Sequence, residues 1–487
     1  MSGHADLIGL VETLRNAEVL CVGDIILDHF HYGSVERISP EAPVPVLRVE
    51  REDAMLGGAG NVARNLLALG AGLNFVSVIG EDHAGEEIRK LFGDLGITNP
   101  ELIVDDERPT AVKIRFVAGS QQVLRADKEV IAPLRSEIRA QVLEAAGKAL
   151  KRCQVLVLSD YGKGVLDDGV ATELIARAQE MGCAVVVDPK GADFSLYRGA
   201  SVITPNRREL GDAAGMPTNS ENGIVAACRR LIADCGAGAV LATRGRDGMT
   251  LVTAGGEVFH LVTEARDVFD VSGAGDTVAA TLAAALAAGA KLSKAAALAN
   301  VAAGIVVAKV GTAAAYADDV IGALRHQDLS IAKAKIMGSR PALDRVQSWR
   351  QVGQKIGFTN GCFDLLHPGH VSLLTKAKEA CDRLVVGLND DASVTRLKGA
   401  DRPIQTEAAR AAVLASLASV DMVVIFAEDT PMEIIEALRP DLMVKGADYA
   451  PDKVVGADYV ESYGGRVMLV ELEPGYSTSA TISRMAK

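Results

Sequence analysis

"DVSGAGDT", Asp270 to Thr277, decides how the larger part of this 487-residue chain is read. Its Gly-Ala-Gly run lets successive backbone N–H groups face one way, and the following "TVAATLAAALAAG" is strongly helix-forming by composition. The stretch therefore predicts a loop entering a helix, with Gly273, Ala274 and Gly275 as an anion hole. Amide donors at a helix N-terminus stabilise a developing phosphate anion. Asp276 would sit at that entry, able to take a proton from a hydroxyl attacking the γ-phosphate of ATP. Taken alone, a Gly-rich turn before a helix is also a common structural punctuation mark.

Around this run, strand-like apolar stretches alternate with helical patterns nearly throughout, the signature of α/β architecture with a mainly parallel sheet. "AEVLCVGDIILD", "LNFVSVIG", "CQVLVLSD", "CAVVVDP", "ASVITPN" and "AVLATRG" each close on or near Gly, Asp or Asn. Ligands collect at the carboxyl ends of such strands. Two segments break the alternation, Phe30 to Glu50 and Thr110 to Asp127, and both read as extended pieces forming a lid beside the main sheet. From about Arg325 to Lys355 the pattern weakens into a polar, basic stretch with Pro341 and the single tryptophan, Trp349, read as a partly helical connector. A new α/β unit then begins at "IGFTN" and repeats through "RLVVGLN", "DMVVIF", "DLMVKG" and "RVMLVEL".

The length implies two or three domains. With 49% hydrophobic and 23% charged residues the chain has ample apolar material to bury. A net charge of −12 argues against a nucleic-acid or anionic-membrane partner, while a few local cations suffice for a phosphorylated substrate. Seven cysteines without a C-x-x-C pair fit reduced thiols in a cytosolic protein. The N-terminus has acidic residues where a signal peptide needs positive charge, and the Ala-rich runs are too short and weakly apolar to span a bilayer. A cytoplasmic location is the expectation.

A second Gly-rich stretch, "GGAGNVARNLLALGA" from Gly57 to Ala71, precedes another Ala-Leu helix. Together the two stretches resemble the paired signatures of the ribokinase-like (PfkB) sugar kinases, over roughly residues 15 to 325. Thr281 departs from that pattern, standing where a smaller residue is usual. The resemblance implies sugar-hydroxyl contacts from Asp28, Gly57, Gly58 and Asn61. "NRRE", Asn206 to Glu209 with Arg207 and Arg208 between, matches the family's N-x-x-E, which organises Mg²⁺ indirectly and the phosphates. "TRGRDG" supplies Thr243, Gly245 and Gly248 to the nucleotide loop, and Asn300 lies in the adenine-side segment.

In the second half, "TNGCFDLLHPGH" runs from Thr359 to His370. Zinc would need further ligands, and beyond His367 and His370 the only histidine after Arg325 is His326. Core or capping histidines would leave the Pro-Gly between them unexplained. Pro368 and Gly369 suit a tight helix entry, where two imidazoles and free amides could hold a phosphate in an in-line nucleotidyl transfer. Cys362 beside them reads as a packing thiol rather than a nucleophile.

These residues resemble the H-x-G-H signature of the cytidylyltransferase-like nucleotidyltransferases, over roughly residues 354 to 487. The resemblance implies ATP contacts from Asn360, Gly361, Phe363, Lys398, Arg410, Lys445, Asp448, Ser477 and Thr478. The alternative for Lys398 and Arg410 is a solvated surface charge, the usual fate of a lone Lys or Arg, and the phosphate-contact reading is preferred. The expected architecture is thus a ribokinase-like α/β sandwich with a small β lid over 1–328, a connector over 329–352, and a Rossmann-like HxGH nucleotidyltransferase domain over 353–487.

A sugar kinase ahead of such a domain resembles the bifunctional heptose kinase/adenylyltransferases of lipopolysaccharide core synthesis. That implies ATP and phosphorylated heptose as substrates, with Mg²⁺. The first unit would phosphorylate O1 of D-glycero-D-manno-heptose 7-phosphate. After a separate phosphatase, the second would join AMP to heptose 1-phosphate as ADP-heptose. Arg37, Lys113, Arg115 and Arg125 in the lid segments are candidates for the 7-phosphate. Open lid edges predict a homodimer through the kinase half. The alternative is a kinase and nucleotidyltransferase pair of different sugar or nucleotide specificity.

Overall fold

The computed structural model describes residues 2–97, 99–119, 121–263, 273–308, 313–447 and 454–470. Its contacts divide the chain into two units, Ser2–Leu324 and Arg325–Lys487.

In the first unit, nine strands form one sheet, in the spatial order Val258–Leu261, Met249–Thr253, Ala239–Thr243, Val202–Ile203, Ala184–Asp188, Val155–Ser159, Glu18–Gly23, Gly72–Gly80 and Glu101–Asp105. Pairing is parallel from Ala239–Thr243 to Glu101–Asp105 and antiparallel for the two strands at the other end. The central strands are apolar along most of their length because both faces are covered. Successive side chains point to opposite sides of a strand. Val19, Cys21, Val155 and Val157 enter one core with the helices Ala59–Ala68, Ala274–Ala287 and Leu292–Val307. Leu20, Val22, Leu156 and Leu158 enter the other with Ser136–Leu150, Val170–Glu180 and Glu221–Cys235.

The run "AEVLCVGDIILD" is not one strand. It breaks at Asp24, and Ile25–Ile38 leaves the main sheet to pair antiparallel with Pro45–Gly58 and parallel with Val112–Ala118. With Gln121–Lys128 these make a four-stranded lid. The first lid strand is buried near Ile25 and exposed near Ile38, so its root faces the body of the unit and its tip faces solvent.

The second unit is a six-stranded sheet, parallel throughout, in the order Ile336–Met337, Met422–Phe426, Arg383–Asn389, Ile356–Gly361, Leu442–Gly446 and Arg466–Val470. From Ile356–Gly361 the chain winds first to one side and later returns to pair on the other. That strand's carboxyl end is therefore a topological switch point, where open α/β sheets bind ligands. The segment expected as a connector over 329–352 is more than a tether. Ile336–Met337 supplies the edge strand of this sheet, and the helix Ser339–Gln351 buries Ala342 and Val346 in its core.

Candidate functional site

In the first unit Gly273, at φ 79°, caps the helix Ala274–Ala287, and Asp276 lies in its first turn, 3% exposed. The Asn61 amide donates to Asp276 Oδ2 at 2.8 Å, and the Tyr161 hydroxyl donates to Oδ1 at 2.7 Å. Arg64 Nη1 in turn donates to Asn61 Oδ1 at 3.3 Å, which turns the amide nitrogen toward the carboxylate. Burial pushes the Asp276 carboxyl up to about 6, against the two hydrogen bonds, which pull it down. Asp28 nearby raises it and Arg64 lowers it. A carboxyl poised there is ionised at neutral pH yet close enough to its pKa to accept a proton.

Asp28, at the root of the lid, is buried and paired with Arg115, Nη1 to Oδ1 at 2.6 Å. Gly57 opposes it so closely that a Cβ would lie 2.0 Å from Asp28 Oδ2. Gly58 then passes directly into the helix that carries Asn61. Lys113 is near enough to Asp28 to feel its field, and burial, then Lys163, lowers its pKa. Of the four lid cations, Lys113 and Arg115 lie beside Asp28, while Arg37 is exposed and Arg125 pairs with Asp127.

A cavity of about 580 Å³ has Ala274 and Gly275, just before Asp276, and Tyr161, which bonds Asp276, in its wall. Asn206, Arg207, Arg208, Glu209, Thr243, Gly245, Gly248 and Asn300 all line it, so residues spread over the sequence from 206 to 300 converge there. Gly248 sits at φ 84°, and a Cβ on it would meet the Leu261 carbonyl oxygen at 1.9 Å. Arg207 is ion-paired with Asp247, while Arg208 is exposed beside Asp212. "NRRE" forms a reciprocal cap. Asn206 Oδ1 accepts from the Arg208 and Glu209 amides, and Glu209 Oε2 accepts from the Asn206 amide at 3.0 Å. Those two oxygens are committed to the helix end, and the remaining one, Glu209 Oε1, lies 3.5 Å from Lys190 Nζ. Thr281, the departure noted above, is fully buried and its hydroxyl has no partner among the described residues.

Asp188, which the sequence reading missed, lines the same cavity. Burial holds its carboxyl well above the usual range, followed by the nearby charges of Asp276 and Glu209. Among the described residues no group of three or more His, Cys, Asp or Glu is placed to hold a metal ion. Carboxylates this underbalanced fit a hard, hydrated divalent ion held partly by water and by the nucleotide's own phosphates.

In the second unit the helix Pro368–Glu379 starts just past the switch-point strand, with His367 as its N-cap and His370 in its first turn. The two rings stack at 3.8 Å, and Phe363 packs on His370 at 5.1 Å. The Nδ1 atoms of both histidines and Oδ1 of Asn360 are buried without a partner among the described residues. Such polar atoms are costly unless something binds them. Burial, then His367, drives His370 down to about 4, so the imidazole is neutral at pH 7. Lys445, at the end of Leu442–Gly446, donates to the Asn360 carbonyl at 3.0 Å, beside Gly361. Lys398 ends the helix Asp391–Lys398, exposed but near enough to act on the Cys362 thiol. That thiol is pushed up by burial, as expected of a packing cysteine.

Arg410 does not fit the sequence expectation of a nucleotide contact. Its side chain is fully buried, and its guanidinium is committed to the carbonyls of Gln405, Cys362 and Asn389 and to Asp391. Asp448, Ser477 and Thr478 lie outside the described residues, as do Asp270 to Ser272.

A lidded α/β sandwich with a buried aspartate at a helix entry, followed by a parallel sheet with stacked histidines at its switch point, defines a kinase joined to a nucleotidyltransferase. Residues 16–319 match the pfkB family carbohydrate kinases, and residues 358–485 match the cytidylyltransferase-like family. The bifunctional protein HldE of Paramagnetospirillum magneticum is 61% identical over 485 residues, covering 100% of this chain and 99% of that protein. Its namesake from Rhodospirillum rubrum is 58% identical, covering 98% and 97%. Phosphofructokinase-2 from Escherichia coli is 20% identical with a TM-score of 0.55, covering 64% of this chain and 98% of its own, a likeness of fold. The chain belongs to the HldE family of bifunctional proteins, and it is both a sugar kinase and an adenylyltransferase.

Proposed function

We propose that the unit Ser2–Leu324 phosphorylates O1 of D-glycero-D-manno-heptose 7-phosphate with ATP, and that the unit Arg325–Lys487 transfers AMP from ATP to heptose 1-phosphate. The products are the 1,7-bisphosphate and ADP-heptose, with a separate phosphatase acting between them. The single observation that carries the first step is the position of Asp276, bonded to Tyr161 in the wall of the cavity that Gly275 also lines and close enough to the Asp28–Arg115 pair to feel the charge of Asp28.

In this reading Asp28, Asn61 and the close backbone at Gly57 and Gly58 hold the sugar hydroxyls. Lys113 and Arg115 supply positive charge for the 7-phosphate. Asp276 takes the O1 proton while the amides of Gly273 to Gly275 face the transferred phosphoryl group. Asn206 and Glu209 shape the nucleotide wall as a helix cap, and Asp188 and Glu209 lend charge to a hydrated Mg²⁺. When bound, that ion neutralises charge on the β- and γ-phosphates. In the second unit the sugar phosphate is itself the nucleophile. His367, His370 and the helix-entry amides hold the phosphates of ATP, with Asn360, Lys445 and Lys398 at the rim.

The lid favours a homodimer through the kinase unit, because Ile38 (61%) at the tip of the first lid strand and Leu124 (57%) on the wholly exposed edge strand Gln121–Lys128 are open to solvent. Among the described residues no helix is long and apolar enough to cross a membrane. With seven free cysteines, a cytoplasmic location is the reading we favour.

The test is incubation with heptose 7-phosphate, ATP and Mg²⁺, followed by mass analysis with and without an added phosphatase. A bisphosphate without the phosphatase and ADP-heptose with it are expected. Equal turnover of other sugar phosphates, or CTP replacing ATP in the second step, would point to the alternative specificity.

A further inference from the structure

We infer that Tyr161 is a positioning residue for phosphoryl transfer, its phenol fixing the Asp276 carboxylate in the plane from which it accepts the sugar proton. The inference rests on the assignment of Asp276 as the base. Tyr161 lines the nucleotide cavity and donates to Asp276 Oδ1 at 2.7 Å, while Asn61 holds Oδ2 at 2.8 Å. With one donor on each oxygen the carboxylate cannot rotate freely, and a lone pair on each is left for the incoming hydroxyl.

The loop that delivers the phenol is held with unusual thoroughness. The amides of Tyr161, Lys163 and Val165 all donate to the buried Asp24 carboxylate, at 2.9, 2.9 and 3.0 Å. Arg108 donates to the Lys163 carbonyl at 2.5 Å, and Lys163 Nζ pairs with Glu129 at 2.8 Å. On the near side Asp160 accepts from the Gly162 amide and from the Tyr197 hydroxyl. Burying a carboxylate against loop amides is costly, and burial raises Asp24 to about 6. That cost has a use where a loop must present one side chain at a fixed point.

Besides Tyr161, the groups facing Asp276 are Asp28 from the lid, Arg64 from the helix Ala59–Ala68, Asp188 from the strand Ala184–Asp188 and Cys21 from the strand Glu18–Gly23. Asp28 opposes ionisation of the base, and Arg64 and the two hydrogen bonds favour it. Removing the phenol therefore shifts ionisation to higher pH.

In Tyr161→Phe, the acid limb of kinase kcat/KM should move upward by about half a unit to one unit. The kcat should fall about 10-fold with KM for ATP little changed. Difluorotyrosine placed at 161, a stronger donor of the same shape, should move the limb downward. It carries the test alone if the phenylalanine variant does not fold. A limb that stays in place in either protein overturns the inference, whatever happens to kcat, because a purely structural contact would lower activity without touching the ionisation of Asp276. Asp276→Asn separates the two claims. If it abolishes phosphorylation while the limb stays fixed in the Tyr161 variants, only the positioning role fails. If it remains active, the base assignment fails and the inference with it.

Discussion

Replacing Arg410 with alanine should unfold the second unit more readily while leaving no direct mark on nucleotide chemistry. The guanidinium donates to the Gln405 carbonyl at 3.0 Å, to those of Cys362 and Asn389 at 2.7 and 2.8 Å, and to Asp391 Oδ1 at 2.6 Å. Gln405 and Asp391 are open enough for water to replace the lost donor, so their share is small. The Cys362 and Asn389 carbonyls face inward, and each left without a donor costs about 1–2 kcal/mol. The void left by a fully buried side chain adds about 1–2 kcal/mol. The sum is roughly 4 kcal/mol, which for a unit of this size lowers Tm by about 10 °C. Arg410→Lys keeps the charge but not the planar fork, and should recover only part of the loss.

Trp349, the single tryptophan of the chain, reports this unit alone. It sits on the helix Ser339–Gln351, with the Arg383 guanidinium 5.5 Å from its ring. Its fluorescence during thermal or urea unfolding gives the midpoint, and the kinase rate of the same sample at 25 °C should be unchanged. An unchanged midpoint together with lost AMP transfer would refute the reasoning and return Arg410 to the nucleotide.

Three further outcomes are expected. Arg115→Met strands the buried Asp28 carboxylate and removes a cation from the lid pocket, so KM for the sugar phosphate should rise at least about 10-fold while KM for ATP holds. His370→Ala should cut AMP transfer by about 100-fold or more with phosphorylation intact, measured as pyrophosphate release against ADP formation. The pH dependence of stability follows from His370, whose folded pKa of about 4 lies below its ordinary 6.5. Between those values the unfolded chain binds the extra proton, so the second unit loses stability as pH falls from about 6.5 to about 4. The Trp349 urea midpoint should drop across that window, and His370→Gln should flatten the drop.

Much of the fold was legible because its signals are local. A strand buried on both faces reads as a nearly continuous apolar run, so "CQVLVLSD" and "RLVVGLN" identified themselves. The break of "AEVLCVGDIILD" at Asp24 was not legible. Nothing in those residues says that amides far along the chain will converge on that carboxylate and let the next strand turn into the lid. The N-x-x-E spacing carried a second meaning, since an asparagine three residues before a glutamate is also a capping box. The structure shows that cap formed.

By itself the sequence determined the two helix entries and the residues at them. Glycine where backbone must pass close, proline at a first helical turn, and an aspartate or histidine one step beyond are constraints that act within a few residues. Only the tertiary structure decided which side chains meet. Tyr161 reaches Asp276 across 115 positions, and Asn61 reaches it across 215. Arg410 is enclosed by carbonyls of Cys362 and of Asn389 at a strand end, so the donors of an arginine that looks free in sequence are already taken. Hydrogen bonding and desolvation depend on distance in space, and packing the sheets and loops is what sets those distances.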